Sequence, residues 1–251
     1  MSPDRGIQQL QRDWDGFGKD DPLWRVLSLP EKKGKWGIED FFQTGRDEID
    51  GLMAYLSKLD LRVPGGRALD FGCGVGRLSQ ALANHFETVY GVDIAPSMID
   101  FAKKYNKKGE KCQYVVNSSS DLRLFADGYF DFIYSNITLQ HIPPKYSTSY
   151  ISEFLRILKT GGVAVFQLPA KKILVPVSNL FGMSKRVFEF LPQSVLSVYH
   201  QVRYPNRPFA FMYSVPRSRV EELIRLGNAT LMDVQEGPAG QWMNCRYCVK
   251  K

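Results

Sequence analysis

The sequence predicts an α/β fold in which a parallel sheet is covered by helices on both faces. Three observations carry this. Short apolar runs rich in β-branched residues alternate with segments of helical period from Arg67 to Leu168. Those runs are nearly continuously apolar, as strands buried on both faces must be. The first of them ends in a turn with glycines at positions 72, 74 and 76, which lead into a helix.

The elements follow in order. Residues 1–38 are polar with scattered tryptophans (Trp14, Trp24, Trp36) and read as an irregular lead-in. From Glu39 to Leu59, Phe41, Phe42, Ile49, Leu52, Met53, Leu56 and Leu59 recur at helical spacing, and Pro64-Gly65-Gly66 breaks the chain. Arg67–Phe71 is a strand, Gly76–Phe86 a helix, Thr88–Val92 a strand, and Pro96–Asn106 a helix with its proline in the first turn. Cys112–Val116 and Tyr129–Ser135 are strands. Lys145–Lys159 is a helix ended by Thr160-Gly161-Gly162, and Val163–Leu168 is a strand. Regularity lapses over 170–215 and returns with a helix at Pro216–Leu226. Two further strands, Thr230–Gln235 and Trp242–Val249, are close enough in sequence to pair antiparallel.

Composition bounds the function. With 251 residues, 44% hydrophobic and 13% aromatic, the chain has ample core material, which excludes disorder as its main state. No stretch approaches the ~18 uncharged apolar residues of a membrane span. The N-terminus lacks the apolar segment of a signal peptide. Four cysteines (Cys73, Cys112, Cys245, Cys248) are too sparse for a disulfide framework, so the expected setting is reduced and cytoplasmic. The net charge of +7 is concentrated: Lys171 to Arg219 holds eight basic residues against the single acid Glu189. Uneven charge speaks of partners rather than of fold.

The strongest motif is Ala68-Leu69-Asp70-Phe71-Gly72-Cys73-Gly74-Val75-Gly76. Glycines let backbone approach a ligand closely, and a helix start offers free N–H groups. A nicotinamide dinucleotide site would want G-x-G-x-x-G. Here Arg77 holds the third glycine's slot, and Asp70 would repel a pyrophosphate. Asp93 ends the next strand, where an acid can accept both hydroxyls of a ribose.

With these residues in view, the chain resembles the class I S-adenosylmethionine-dependent methyltransferases, most closely the broad group acting on small molecules. The matching pieces are ALDFGCGVGRLSQ, VYGVDIAPSMID, YFDFIYSNITLQHIP and LKTGGVAVFQLP, in that order. The resemblance implies a Rossmann-like, doubly wound, mostly parallel seven-stranded sheet with one antiparallel edge strand, helices on both faces and an insertion. It implies four parts: residues 1–60 covering the cofactor site, a core at 61–169, an insertion or cap for the acceptor at 170–215, and a helix and strand pair at 216–251 completing the sheet. S-adenosylmethionine is the implied cofactor and S-adenosylhomocysteine its product. Asp70 would face the amino group through the turn or water, Gly72, Cys73 and Gly74 would line the methionine portion, and Asp93 would hold the ribose. Ile94 would pack on adenine with Met98 nearby, and Asn136 and Ile137 would lie under the sulfonium. Ser118 falls where the family carries an Asp beside adenine, which assigns that role to Ser118, Ser119 or backbone. Arg46, in a segment that in many relatives folds over the cofactor, would pair with the methionine carboxylate.

His141, just past a strand's carboxyl end, is the candidate general base for a hydroxyl or amine acceptor. The eight aromatics and the positive charge of the insertion suit an aromatic or anionic acceptor, with Arg203, Arg207 and Arg217 as contacts. The expected reaction is methyl transfer to an oxygen or nitrogen of such a molecule. Rival readings are a membrane-surface or carrier-bound substrate, for which Ile173–Tyr199 has an interfacial composition, RNA modification, and cofactor binding without catalysis. Cys245-x-x-Cys248 is half a zinc knuckle without its second pair, so no metal is expected. Pro143-Pro144-Lys145-Tyr146 stands too far past its strand to match the box of DNA base methylases, so no DNA partner is expected.

Overall fold

The computed structural model describes residues 5–173 and 210–251. Its helices are α1 Arg5–Asp20, α2 Pro22–Val26, α3 Ile38–Lys58, α4 Arg77–Leu82, α5 Pro96–Tyr105, α6 Pro144–Ile157 and α7 Arg217–Leu226. Its strands are β1 Arg67–Phe71, β2 Thr88–Asp93, β3 Cys112–Val116, β4 Phe130–Ser135, β5 Leu158–Lys172, β6 Thr230–Ala239 and β7 Trp242–Lys250. They form one seven-stranded sheet in the order β3-β2-β1-β4-β5-β7-β6. This is the Rossmann-like α/β architecture that the sequence predicts.

Strand pairing is parallel from β3 through β5 and antiparallel on both sides of β7. The one reversed strand therefore lies next to the edge, and β6 forms the edge itself. The β6–β7 hairpin is tighter than its sequence suggests. The strands run to Ala239 and from Trp242, leaving the two residues Gly240 and Gln241, with Gly240 at φ +58, to make the reversal.

Side chains alternate between two cores because successive strand residues face opposite ways. On one face Ala68, Phe132, Tyr134, Val163 and Val165 pack with Ile49, Leu52 and Leu56 of α3 and Leu78 and Leu82 of α4. On the other, Leu69, Phe71, Ile133, Ala164 and Phe166 pack with Tyr150, Ile151 and Phe154 of α6 and Val220, Leu223 and Ile224 of α7. Each fully buried Phe or Leu here is worth about 1.5–3 kcal/mol relative to exposure.

The N-terminal lead-in is a correction. Residues 5–26 are mostly helical, not irregular. α1 docks on the β2–α5 junction. Gln11 Nε2 donates to the Ile94 carbonyl (3.0 Å), and Asp15 accepts the Ser97 N–H (2.8 Å). α5 has no capping side chain of its own at Ala95, so the Asp15 carboxylate caps it from another helix. That service to a distant helix is invisible to periodicity.

Strand order places the site. The chain winds outward from β1 through β2 to β3, then returns to put β4 on the other side of β1. Ligands of open α/β sheets bind beyond the carboxyl ends of strands at such a reversal. Phe71, Asp93, Val116 and Ser135 are the final residues of these four strands.

Candidate active site

A cleft of about 930 Å³, counting its open mouth, lies at that reversal. Its floor is the loop after β1. Gly72 and Gly74 have φ of +78 and +52, which a side chain adopts only under strain. A Cβ on Gly72 would come 2.1 Å from Thr138 Cγ2, and one on Gly74 would come 2.6 Å from Val26 Cγ2. The loop thus runs against both the turn after β4 and helix α2, and only glycine leaves room. Gly72 and Cys73 donate their N–H groups to the Val92 carbonyl (2.7 and 3.0 Å), fixing the loop on β2.

Asp93 is held at the end of β2 by its neighbours. Its Oδ2 accepts the Gly74 N–H (2.9 Å) and its Oδ1 the Ala95 N–H (2.9 Å). Each carboxylate oxygen keeps a further lone pair for a ligand hydroxyl. Burial raises its pKa, against the lowering effect of the backbone N–H groups of Ala95, Gly74 and Ile94. Ile94 and Met98 stand beside it in the wall.

Asp70 lies beneath the loop, outside the cleft wall, where its carboxylate accepts from Ser79 Oγ (2.6 Å). Burial pushes its pKa up to about 7. It reaches the cleft only through the loop it supports. The Cys73 thiol is buried and raised well above its ordinary value by that burial, so it lines the cleft as a small apolar group.

Beyond β4, Asn136, Ile137 and Thr138 enter the wall. Asn136 Nδ2 donates to Glu48 Oε1 of α3 (2.7 Å), which also accepts from Tyr134 OH (2.9 Å). Glu48 Oε2 pairs with Arg77 Nη2 (2.8 Å). The cleft's inner end is therefore built on a carboxylate with three donors.

Several assignments made from the sequence need correction. Arg46 is not in the cleft wall. It pairs with Glu39 and Gln43 along its own helix, because α3 turns that face away from the cleft. Two other guanidinium groups line the cleft instead, Arg25 and Arg77, and each has a buried Nε with no acceptor among the described residues. Ser118 and Ser119 are exposed and outside the wall, and Asn117 lines it in their place. Asn117 turns its amide onto the Ser119 and Asp121 carbonyls and so shapes the loop after β3. Arg217 is bound to Glu221 and Glu236 on the outer surface and takes no part in the cleft. Arg203 and Arg207 lie outside the described residues.

His141 does line the cleft, but as a base it is engaged. Its Nε2 is 3.1 Å from Gln140 Nε2 and its Nδ1 is 2.9 Å from the Phe211 carbonyl. An amide N–H on Nε2 occupies the lone pair that a base would use. Burial lowers its pKa, opposed by the Phe211 carbonyl. Trp14 of α1 stands edge-on to the ring, centroids 5.2 Å apart.

The sequence-based reading missed Leu10, Trp14, Arg25 and Val26, all on the two N-terminal helices that roof the cleft. The apolar positions of α1 (Ile7, Leu10, Trp14, Phe17) do recur at helical spacing against an otherwise polar face, so the signal for this helix was present in the sequence.

Residues 69–166, less than half of the chain, match a family model described as a methyltransferase domain. A 2-methyl-6-phytyl-1,4-hydroquinone methyltransferase of Synechocystis is 33% identical over 128 residues, 51% of this chain and 39% of its own length. A ubiquinone biosynthesis O-methyltransferase of Xanthomonas euvesicatoria is 34% identical over 103 residues, 41% of this chain and 42% of its own. The chain thus spans about two-fifths of the length of these curated relatives. Among solved structures, the magnesium protoporphyrin IX methyltransferase of Synechocystis with bound S-adenosylhomocysteine superposes with a TM-score of 0.62 at 18% identity, covering 96% of this chain and 98% of that one. At that identity the likeness is one of fold.

Proposed function

We propose a function from the premise that this chain belongs to the class I S-adenosylmethionine-dependent methyltransferases: it methylates an oxygen or nitrogen of a small, largely apolar acceptor. The observation that carries this reading is the convergence, at the β1/β4 reversal, of the glycine floor, the Asp93 carboxylate and an apolar roof.

The residues present fit the cofactor. Side chains at positions 72 and 74 would fill the floor that a ligand must approach. Asp93 has lone pairs to receive two ribose hydroxyls, and Ile94 and Met98 offer an apolar face to a base. Arg25 and Arg77 line the cleft and are the cations placed to meet a carboxylate there, which leaves Arg46 without that role. Bound S-adenosylmethionine supplies a methyl group activated by a positively charged sulfur.

The protein's own work is then to position and exclude. Asn136, Ile137 and Thr138 form the wall nearest the glycine floor, and Leu10, Trp14 and Ile142 form an apolar surround. Correct orientation of two reactants contributes about 7–11 kcal/mol to lowering a barrier of this kind. The relatives' names include a hydroquinone and, for the solved structure, a porphyrin, both aromatic, which agrees with a pocket sided by Trp14. The anionic preference first assigned to the insertion has no support from Arg217, and Arg25 and Arg77 are the cleft's described arginines.

Calorimetry with S-adenosylhomocysteine tests the assignment. One site per chain is expected, and Asp93→Ala should weaken it by about 1–3 kcal/mol, the loss of a charged acceptor. Unchanged affinity discards the ribose role. Methyl release against a panel of phenols and amines then identifies the acceptor class.

A further inference from the structure

Ile137 has a φ of +57. A β-branched residue in this left-handed region is a marked outlier and persists only where its surroundings hold it. It stands in the cleft wall beside Asn136 and Thr138. Four contacts lead away from it. The Ile137 N–H donates to Gln167 Oε1 (3.1 Å), and Gln167 Nε2 donates to Gln140 Oε1 (3.2 Å). Gln140 Nε2 meets His141 Nε2 at 3.1 Å, and His141 Nδ1 meets the Phe211 carbonyl at 2.9 Å. Both glutamines are buried, each 8% exposed.

The two ends of this chain decide its direction. A backbone N–H can only donate and a backbone carbonyl can only accept. Between them every group has one orientation: each glutamine accepts through its oxygen and donates through its nitrogen, and His141 accepts at Nε2 and donates from Nδ1. A proton on Nε2 would set donor against donor, and turning Gln140 to relieve it would set donor against donor at Gln167. The mismatch would travel to the Ile137 N–H.

We propose that Gln167, Gln140 and His141 are positioning residues, a one-way hydrogen-bond chain that holds the strained Ile137 turn at the cleft and anchors it to the backbone at Phe211. They act through the turn and not on a reacting atom. Gln167 is the member that matters most, because it alone bonds the strained residue. The functional part of this inference rests on the cleft being the cofactor site.

The test uses the full chain, whose three histidines keep the imidazole spectra assignable. Nitrogen-15 NMR at neutral pH should show His141 neutral, protonated on Nδ1, with an Nε2 shift displaced by an accepted hydrogen bond. An Nε2–H tautomer or an imidazolium overturns the proposal. Gln167→Met, close in volume, removes both bonds. Gln167→Glu keeps an acceptor for Ile137 in either protonation state. Exchange protection of the Ile137 amide should persist in Gln167→Glu and vanish in Gln167→Met. The dissociation constant for S-adenosylhomocysteine should rise roughly tenfold in Gln167→Met and stay within about threefold of wild type in Gln167→Glu. Equal losses in the two variants, or none in either, overturn it. Should Gln167→Met fail to fold, Gln140→Met interrupts the next link and should move the His141 Nε2 shift to that of a free acceptor; an unmoved shift overturns the chain. If wild type does not bind S-adenosylhomocysteine, the functional reading fails, while the NMR and exchange arms still decide the hydrogen-bond chain.

Discussion

Gly74→Ala tests whether helix α2 roofs the cleft in solution. Two costs follow from the structure. The residue keeps φ at +52, which costs an alanine about 1–2 kcal/mol, part of it offset by a less flexible unfolded chain. The new Cβ also lies 2.6 Å from Val26 Cγ2, about 1 Å inside the favourable carbon–carbon separation. Overpacking of this kind costs about 1–3 kcal/mol if nothing moves. α2 has only five residues, tied down by Leu23 in the core and by Asp21, which accepts the N–H groups of Trp24 and Gly34. It should yield before the sheet does, carrying Arg25 and Val26 out of the cleft wall. The melting temperature should then fall by only about 2–4 °C, the equivalent of ~1 kcal/mol in a protein of this size. Affinity for S-adenosylhomocysteine should fall roughly tenfold, about 1.4 kcal/mol. Val26→Ala removes the obstructing methyl groups, so in its background Gly74→Ala should lose little affinity while keeping its thermal cost. A double-mutant cycle by calorimetry should give a coupling near 1 kcal/mol. A coupling below about 0.3 kcal/mol would refute the reasoning, because the loop and the helix would then not be in contact.

Three further outcomes follow. Asp70 is pushed to about 7, chiefly by burial, with Ser79 and Arg77 pulling it down and Glu48 and Asp93 adding to the rise. The folded state therefore holds a proton that the unfolded state, titrating near 3.9, releases; this group's contribution to stability declines as pH rises from about 4 to about 7. Asp70→Asn keeps an acceptor for Ser79 and should stabilise by an amount on the order of a few kcal/mol at pH 8, with the gain shrinking toward pH 5. Paired thermal melts check this, and a gain independent of pH contradicts it. Arg46→Ala should leave S-adenosylhomocysteine affinity within about twofold, whereas Arg25→Ala should cost about 1.5–3 kcal/mol, a hydrogen bond to a charged group; the reverse pattern restores the assignment made from sequence. Asp15→Ala removes the cap of α5 and should cost about 1 kcal/mol, with faster proteolysis within residues 5–20; unchanged cleavage would mean that α1 is held by other contacts.

The sheet and the floor of the site were legible in the residue pattern. Arg67–Phe71 and Cys112–Val116 are strands with the expected bounds: the first is buried on both faces after Arg67, and the second, at the sheet's edge, alternates Cys112 and Tyr114 inward with Gln113 outward. Gly72, Gly74, Asp93, Asn136 and Ile137 share one cleft, because each ends a parallel strand or lies within three residues of such an end and strand order brings those ends together. Tertiary structure decided everything that depends on which face a helix turns inward. Arg46 and Arg77 are both arginines beside a glycine, yet only Arg77 enters the wall, since α3 packs on α4 through Gly45, where a Cβ would come 2.5 Å from the Arg77 carbonyl. The apolar stripe of α1 (Ile7, Leu10, Trp14, Phe17) stands in the sequence, but where it docks does not, because the partners of the N-terminal helices, Ile94, Ser97 and Val75, are spread across other elements. His141 was legible as a cleft residue and not as an engaged one. Its partners, Gln140, Gln167 and Phe211, span seventy-odd positions, and only the register of β5 beside β4 brings the Gln167 amide to the turn that it holds.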